Sequence, residues 1–400
     1  MPDQAIRGKS APVSFVWVAV LVCIFLPLQC AQAQMWDFYG PPTRYGHSAV
    51  YNSDSDIMVV FGGQHTNTSL NYNDIWWANN VVKAACLPPC ALQWTRPSPA
   101  LKGSPSARFW HTAVYDSAEN RMVVFGGAQG VASPPPCLND AYVLEYATGI
   151  GGTTQWIKLI TTGGPPAARY GHTAVYDPSN NVMIVFGGND CSSTYLNDVW
   201  VLSNANGLDG TPTWSQIFPS GPAPPARAFT SAVYDATNNR MIVFGGFNGS
   251  YLGDLWVLTN ANGIGGTPAW LESTPSGAPS PRSGHSAVYD ASLDRMIVFG
   301  GETGEGNVAE TWVLADANGL RGIPSWTLSV PGRGNAPQPR DFHSAVYDPT
   351  SNKMIIFGGH LTPSVGSGGD QSDNHVYALD DANNLESLSR RLTPNGGADR

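Results

Sequence analysis

The chain has 400 residues and a formal net charge of -9, and only 13% of its residues are charged, about half the usual share of a soluble domain. Its 44 Gly and 32 Pro exclude a helical bundle, yet 42% of residues are hydrophobic, including 13 Trp, 14 Phe and 15 Tyr. Many short strands joined by tight turns, around a large core, reconcile the two. The acidic balance offers no excess of cations for a phosphate backbone, which excludes nucleic acid as a partner.

Residues 1–33 read as a secretion signal. Arg7 and Lys9 precede an apolar stretch from Val13 to Leu28, and Ala31-Gln32-Ala33 places small residues where a signal peptidase cleaves. The stretch is shorter than the roughly 20 residues of a spanning helix. The expectation is cleavage after Ala33, no membrane span in the mature chain, and a secreted or periplasmic protein.

Next comes Met35-Trp36-Asp37, and after it a repeat that fills the remaining chain. Its first mark is Arg44, Arg108, Arg169, Arg227, Arg282 and Arg340, each followed by a His/Thr-Ser/Thr-Ala-Val-Tyr run. Its second is an apolar run closed by a Gly pair, beginning at Gly62, Gly126, Gly187, Gly245, Gly300 and Gly358. A third apolar run follows, such as Asp198-Val199-Trp200-Val201-Leu202, and a fourth surrounds Trp94, Trp156, Trp214, Trp270 and Trp326. Each unit predicts four short strands separated by turns. The alanines of the first strand (Ala49, Ala113, Ala174, Ala232, Ala287, Ala345) suit an innermost position where sheets converge on an axis. The uninterrupted apolar second strand suits a sheet covered on both faces. Four-stranded units repeated radially make a β-propeller.

The double Gly, the aromatic third strand and the Trp of the fourth resemble the kelch repeat, over roughly residues 35 to 381. The Arg-x-Gly-His-Ser/Thr-Ala-Val-Tyr-Asp variant resembles that of secreted kelch proteins of bacteria, in the galactose oxidase/kelch superfamily. The expected fold is therefore all-β, a six-bladed kelch-type propeller over residues 34–381. The sixth unit has no Trp in its fourth-strand register, where Arg391 falls, so the N-terminal strand around Trp36 is expected to complete that blade and close the ring. Residues 382–400 then form a tail.

Within that fold, Cys137 and Cys191 both follow a Gly pair in adjacent blades, whereas Cys86 and Cys90 share a loop between strands three and four. The two loop classes lie at opposite ends of the disc, too far apart to bridge, so the expected disulfides are Cys86–Cys90 and Cys137–Cys191. Features present in every blade are read as architecture. The recurring Arg should pair with the acid before strand three (Asp74, Asp140, Asp198, Asp254, Glu310). His47, His111, His172, His285 and His343, with Thr230 in the fourth blade, should hydrogen-bond backbone between blades rather than bind metal. The Asn-Ala-Asn-Gly segments lack the carboxylate pattern of a calcium loop and read as turns. No metal and no cofactor are expected.

Function is sought in the departures from the repeat. Tyr45, Phe109, Trp110, Tyr170, Phe229 and Phe342 follow the recurring Arg unequally, and nearby loops add His65, His360, Glu302 and Glu305, with Asp190, Tyr195, Phe247 and Tyr251. Aromatic faces with scattered polar groups suit a glycan or an extended protein segment. No nucleophile, base and orienting group stand together outside the repeat. The reading is therefore a non-enzymatic binding scaffold whose protein or glycan ligand sits on the face formed by the strand 2–3 and 4–1 loops. One alternative is a sugar-modifying enzyme, by resemblance to kelch sialic-acid epimerases or copper-radical galactose oxidase; the other is a rigid spacer in a surface assembly.

Overall fold

The computed structural model describes residues 40–82, 92–97, 101–331, 336–361, 371–372, 374–383 and 386–392. Cys86, Cys90, Trp36 and the signal segment lie outside the described residues. Six meandering antiparallel units of four strands succeed one another along the chain, and the outer strands of the last two, Ser325–Pro331 and Glu386–Leu392, pair in parallel. In the third blade the strands are Thr173–Asp177, Val182–Asn189, Tyr195–Ser203 and Thr213–Ile217. The innermost strands touch in a closed circle, Ser48–Asn52 of blade one meeting Ser344–Asp348 of blade six.

The apolar second strands explain how the blades hold together. In Ile57–Phe61, Met58 and Val60 pack with Ile355 and Phe357 of blade six, while Val59 and Phe61 pack with Met122 and Val124 of blade two. The same division repeats at the other blade junctions, giving six cores, one per junction. A run that must serve a core on each face has no place for a polar residue. The fourth-strand Trp then packs, tilted, against the second-strand Phe of the preceding blade: Trp214 against Phe125 at 4.7 Å, Trp270 against Phe186 at 5.1 Å, Trp326 against Phe244 at 4.9 Å.

Recurring polar residues fasten the turns. The Tyr176 hydroxyl donates to Asn181 at 3.1 Å, holding the hairpin between strands one and two where Asn181 takes a positive φ. In the Asn-Ala-Asn-Gly turns the second Asn rivets two blades: Asn206 Nδ2 donates to Asp116 at 2.8 Å and Asn262 Nδ2 to Asp177 at 2.7 Å, both buried.

The sixth blade corrects the closure expected from the sequence. Glu386–Leu392 pairs antiparallel with Val376–Asp380 and fills the fourth-strand position assigned to the strand around Trp36. Part of the stretch expected as a tail is thus a strand. Ser389 lies opposite Leu379, where blades two to five place Trp opposite Leu, as in Leu202 opposite Trp214. Backbone pairing needs no particular side chain, so a strand without the Trp can still occupy the edge.

Candidate functional site

The recurring Arg prepare the face that carries the 2–3 loops. Arg169 is fully buried. Its Nε donates to the Ala167 carbonyl at 3.0 Å, Nη1 to the Gly187 carbonyl at 2.9 Å, and the two Nη atoms grip Asp198 at 2.6 and 2.9 Å. Burial alone would raise the Asp198 carboxyl, but the Arg169 hydrogen bonds and charge outweigh it and hold it below the usual carboxylate range. Arg44, Arg108, Arg227 and Arg282 pair likewise with Asp74, Asp140, Asp254 and Glu310, as the sequence suggested. The Gly pair makes this possible: at Gly187, φ is +66° and a Cβ would sit 2.8 Å from the Arg227 carbonyl.

Two residues beyond each Arg, the chain reaches the axis with φ between +50° and +63° at Gly46, Trp110, Gly171, Phe229, Gly284 and Phe342. Their backbones form a closed circle. Trp110 N donates to Gly46 O at 2.7 Å, Gly171 N to Trp110 O at 2.9 Å, Phe229 N to Gly171 O at 2.7 Å, Gly284 N to Phe229 O at 3.0 Å, Phe342 N to Gly284 O at 2.8 Å, and Gly46 N to Phe342 O at 2.9 Å. Glycine alternates with an aromatic because a Cβ on Gly171 would lie 2.7 Å from the Phe229 ring, and one on Gly46 2.8 Å from Trp110. The three rings meet at 5.0 to 5.4 Å and plug the axis.

Beside this plug is a cavity of about 130 Å³ lined also by the five recurring His and Thr230. Each His is tied to the preceding blade through a side-chain hydroxyl, and His47, His172, His285 and His343 also meet the backbone of that blade's second-strand Phe, as the sequence suggested. His111 Nε2 lies 2.8 Å from Ser48 Oγ, His172 Nε2 2.8 Å from Thr112 Oγ1, and His47 Nε2 2.8 Å from Ser344 Oγ across the ring closure. Burial, then the charge of the neighbouring Arg, pushes His47, His172 and His285 down to about 3. His111 and His343 also fall well below the usual imidazole range, for the same leading reason. These rings are neutral. They brace the blades and present no charge to the axis.

Outside the plug, the residue after each Arg pairs with the residue directly after the Gly pair. The six couples are Tyr45 with Gln64, Phe109 with Ala128, Tyr170 with Asn189, Ala228 with Phe247, Ser283 with Glu302, and Asp341 with His360. The face is therefore divided. Tyr45 and Tyr170 are half-buried at the edge of the plug, Tyr170 stacked on Trp110 at 5.3 Å. Across it, the Asp341 carboxylate, 3% exposed, meets His360 Nδ1 at 3.0 Å, and His360 lies 5.9 Å from the Tyr45 ring. Burial, then the charge and hydrogen bond of Glu302 and the charge of Asp341, push the Tyr251 hydroxyl up to about 12. Glu305 is exposed beside this group, and His65 accepts at Nδ1 from the Asn67 amide at 3.1 Å.

Phe109, expected on this face, is 3% exposed and packs under Trp110 at 4.5 Å, so it supports the surface without forming it. Sequence reasoning missed Asp341, although its position directly after Arg340 was a usable signal. The Cys137–Cys191 disulfide is present, with Cα atoms 5.8 Å apart, joining the 2–3 loops of blades two and three beside Asn189. Among the described residues no group of three His, Cys, Asp or Glu is placed to hold a metal. No helix among them is long and apolar enough to cross a membrane.

The domain described as KLHDC2/KLHL20/DRC7 Kelch-repeats matches residues 22–149, 79–264, 210–319 and 266–395 in overlapping segments. The chain belongs to the kelch-repeat family. Host cell factor homolog hcf-1 of Caenorhabditis elegans is 30% identical over 279 residues, 65% of this chain and 32% of that protein. Human host cell factor 1 is 30% identical over 314 residues, 72% of this chain and 13% of its own length. Adagio-like protein 3 of Oryza sativa subsp. japonica is 31% identical over 276 residues, 66% of this chain and 39% of that protein. This kelch chain thus spans well under half of each of these relatives. The solved structure of YjhT shares the fold at a TM-score of 0.57 and 16% identity, over 88% of this chain and 98% of that one.

Proposed function

We propose that this kelch propeller is an exported, non-enzymatic interaction scaffold that holds a segment of a partner protein on the face of the 2–3 and 4–1 loops. One observation carries the reading. The recurring Arg, His, Tyr and turn Asn are engaged in joining strands and blades, whereas the couples on this face differ from blade to blade and leave Tyr45, Tyr170, Tyr251, Glu302 and Glu305 at least partly exposed. Repetition accounts for the first group, and recognition accounts for the second. The N-terminal signal pattern supports export, and membership of the kelch family supports a scaffold role.

The test is a thermal-shift screen of the full chain against short peptides, glycans and divalent cations. A ligand at about 100 times its Kd adds roughly 2.7 kcal/mol. Peptide hits lost in Tyr170→Ala, with the unliganded melt unchanged, are the expected result. Stabilisation that survives substitutions at Tyr45, Tyr170 and Glu302 overturns the placement, and a glycan-only response overturns the partner class. The Asp341–His360 pair favours a second reading, a sugar-modifying enzyme with His360 as a proton-transfer group oriented by a buried carboxylate; turnover of a reducing sugar that His360→Gln abolishes would establish it.

A further inference from the structure

We infer that the segment held on this face is cationic: a stretch of polypeptide carrying Arg or Lys beside an apolar or aromatic residue. The inference rests on the interaction-scaffold reading and narrows its partner.

Two features of different origin select the same charge. The first is electrostatic. The six segments joining strands two and three (64–73, 128–139, 189–197, 247–253, 302–309 and 360–375) contain Asp190, Glu302, Glu305, Asp370 and Asp373 but no Lys or Arg; Asp370 and Asp373 lie outside the described residues. The six Arg that approach this face from below are wholly buried, and five are already bound to their own carboxylates. Asp341 adds a nearly buried carboxylate near the axis. By contrast, Arg121, Arg240, Arg295 and Lys353 all start second strands, at the other end of the disc. Carboxylates on a low-dielectric wall focus a negative potential outward.

The second feature is the aromatic floor. Tyr45, Trp110, Tyr170, Phe229 and Phe342 form one connected network of rings. Aromatic faces attract guanidinium and ammonium groups, the more so when water is excluded. They also accept the apolar stem of an Arg or Lys, or a neighbouring aromatic side chain. The floor lies against the acidic sector where Tyr45 meets His360, so one extended segment can lay an apolar residue on the floor and a cation against Glu302. An acidic segment would meet carboxylates with no cation on the 2–3 loops to offset them, the exposed Arg96 and Lys102 lying on the 4–1 connection between blades one and two.

The experiment presents the full-length chain to an array of 12-residue peptides matched in aromatic content, with Arg/Lys, Asp/Glu or Ser at the variable positions. The expected result is retention of the Arg/Lys set at least tenfold above the Asp/Glu set, a contrast that shrinks as NaCl rises from about 50 to 500 mM because exposed charges are screened. The Glu302→Gln/Glu305→Gln double variant should reduce that preference at least fivefold without lowering the melting temperature. Preference for acidic peptides, or a basic preference untouched by the double variant, overturns the inference. Charge-blind binding that Tyr170→Ala abolishes would overturn the cationic partner while leaving the scaffold reading standing. Binding unaffected by any substitution on this face would remove both.

Discussion

The five buried imidazoles make this propeller acid-sensitive, and the effect can be worked out. In the folded state His47, His172 and His285 are pushed down to about 3 by burial and the adjacent Arg, against about 6.5 in an unfolded chain. The unfolded state therefore binds more protons at mildly acid pH. Stability is full above about pH 6.5 and is lost as pH falls from there toward 3. One unit below 6.5 each such ring costs about 1.4 kcal/mol, so these three remove about 4 kcal/mol at pH 5.5. His111 and His343 act in the same direction. That is a large part of the 5–15 kcal/mol typical of a domain. The depressed carboxyls of Asp198, Asp254 and Glu310 act in a lower window, below the ordinary carboxylate range. The assay is urea denaturation at pH 7.5, 6.5 and 5.5. The free energy should fall most steeply over the last interval, and His285→Gln should reduce the total fall between pH 7.5 and 5.5 by about 1.4 kcal/mol. Equal stability at pH 7.5 and 5.5 would refute the neutral, buried ring.

Further outcomes follow from particular junctions. Thr230 stands where the other blades have His and bonds to the Phe244 carbonyl of its own blade at 2.9 Å, so Thr173 receives no imidazole; Thr230→His should complete the ring and raise stability by about 1 kcal/mol, measured by urea midpoint. Gly171→Ala combines φ of +62° with a Cβ 2.7 Å from Phe229 and should cost roughly 1–3 kcal/mol, with loss of protection at the axial amides in hydrogen exchange. Reduction of Cys137–Cys191, which closes a separation of 54 residues, should cost about 4 kcal/mol on the chain-entropy relation; an unchanged melt in reductant would show that the 2–3 loops are held by other contacts.

Much of the architecture was legible because each element repeats its reason. The second strand must be apolar on both faces, the Gly pair must admit the next blade's Arg carbonyl, and the Arg must find an acid before strand three. Repetition failed where the sixth blade drops the Trp. Without that mark, Met35-Trp36-Asp37 looked like the missing strand, although Glu386–Leu392 holds the place by backbone pairing. The face was partly legible. Reading Tyr45, Trp110 and Phe229 as one class merged two positions, the residue after Arg and the one beyond it. Separated, the second shows the alternation of Gly46, Trp110, Gly171, Phe229, Gly284 and Phe342 that builds the plug. The first pairs across to the loop and would have coupled Asp341 to His360, just as Tyr45 couples to Gln64. The hydroxyl partners of the His were hidden because each belongs to the preceding blade, 54 to 63 residues away in four of the junctions.

The central claim is that recurring polar residues hold the propeller together while the departures on one face do the binding. A site-saturation scan that scores folded yield and peptide binding separately at every position tests it most directly. Substitutions at Arg169, His172 and Tyr176 should lower yield and binding together, whereas those at Tyr45, Tyr170, Tyr251, Glu302 and Glu305 should lower binding at unchanged yield. Binding lost at the recurring Arg or His with yield intact, or kept throughout the face, would contradict the account.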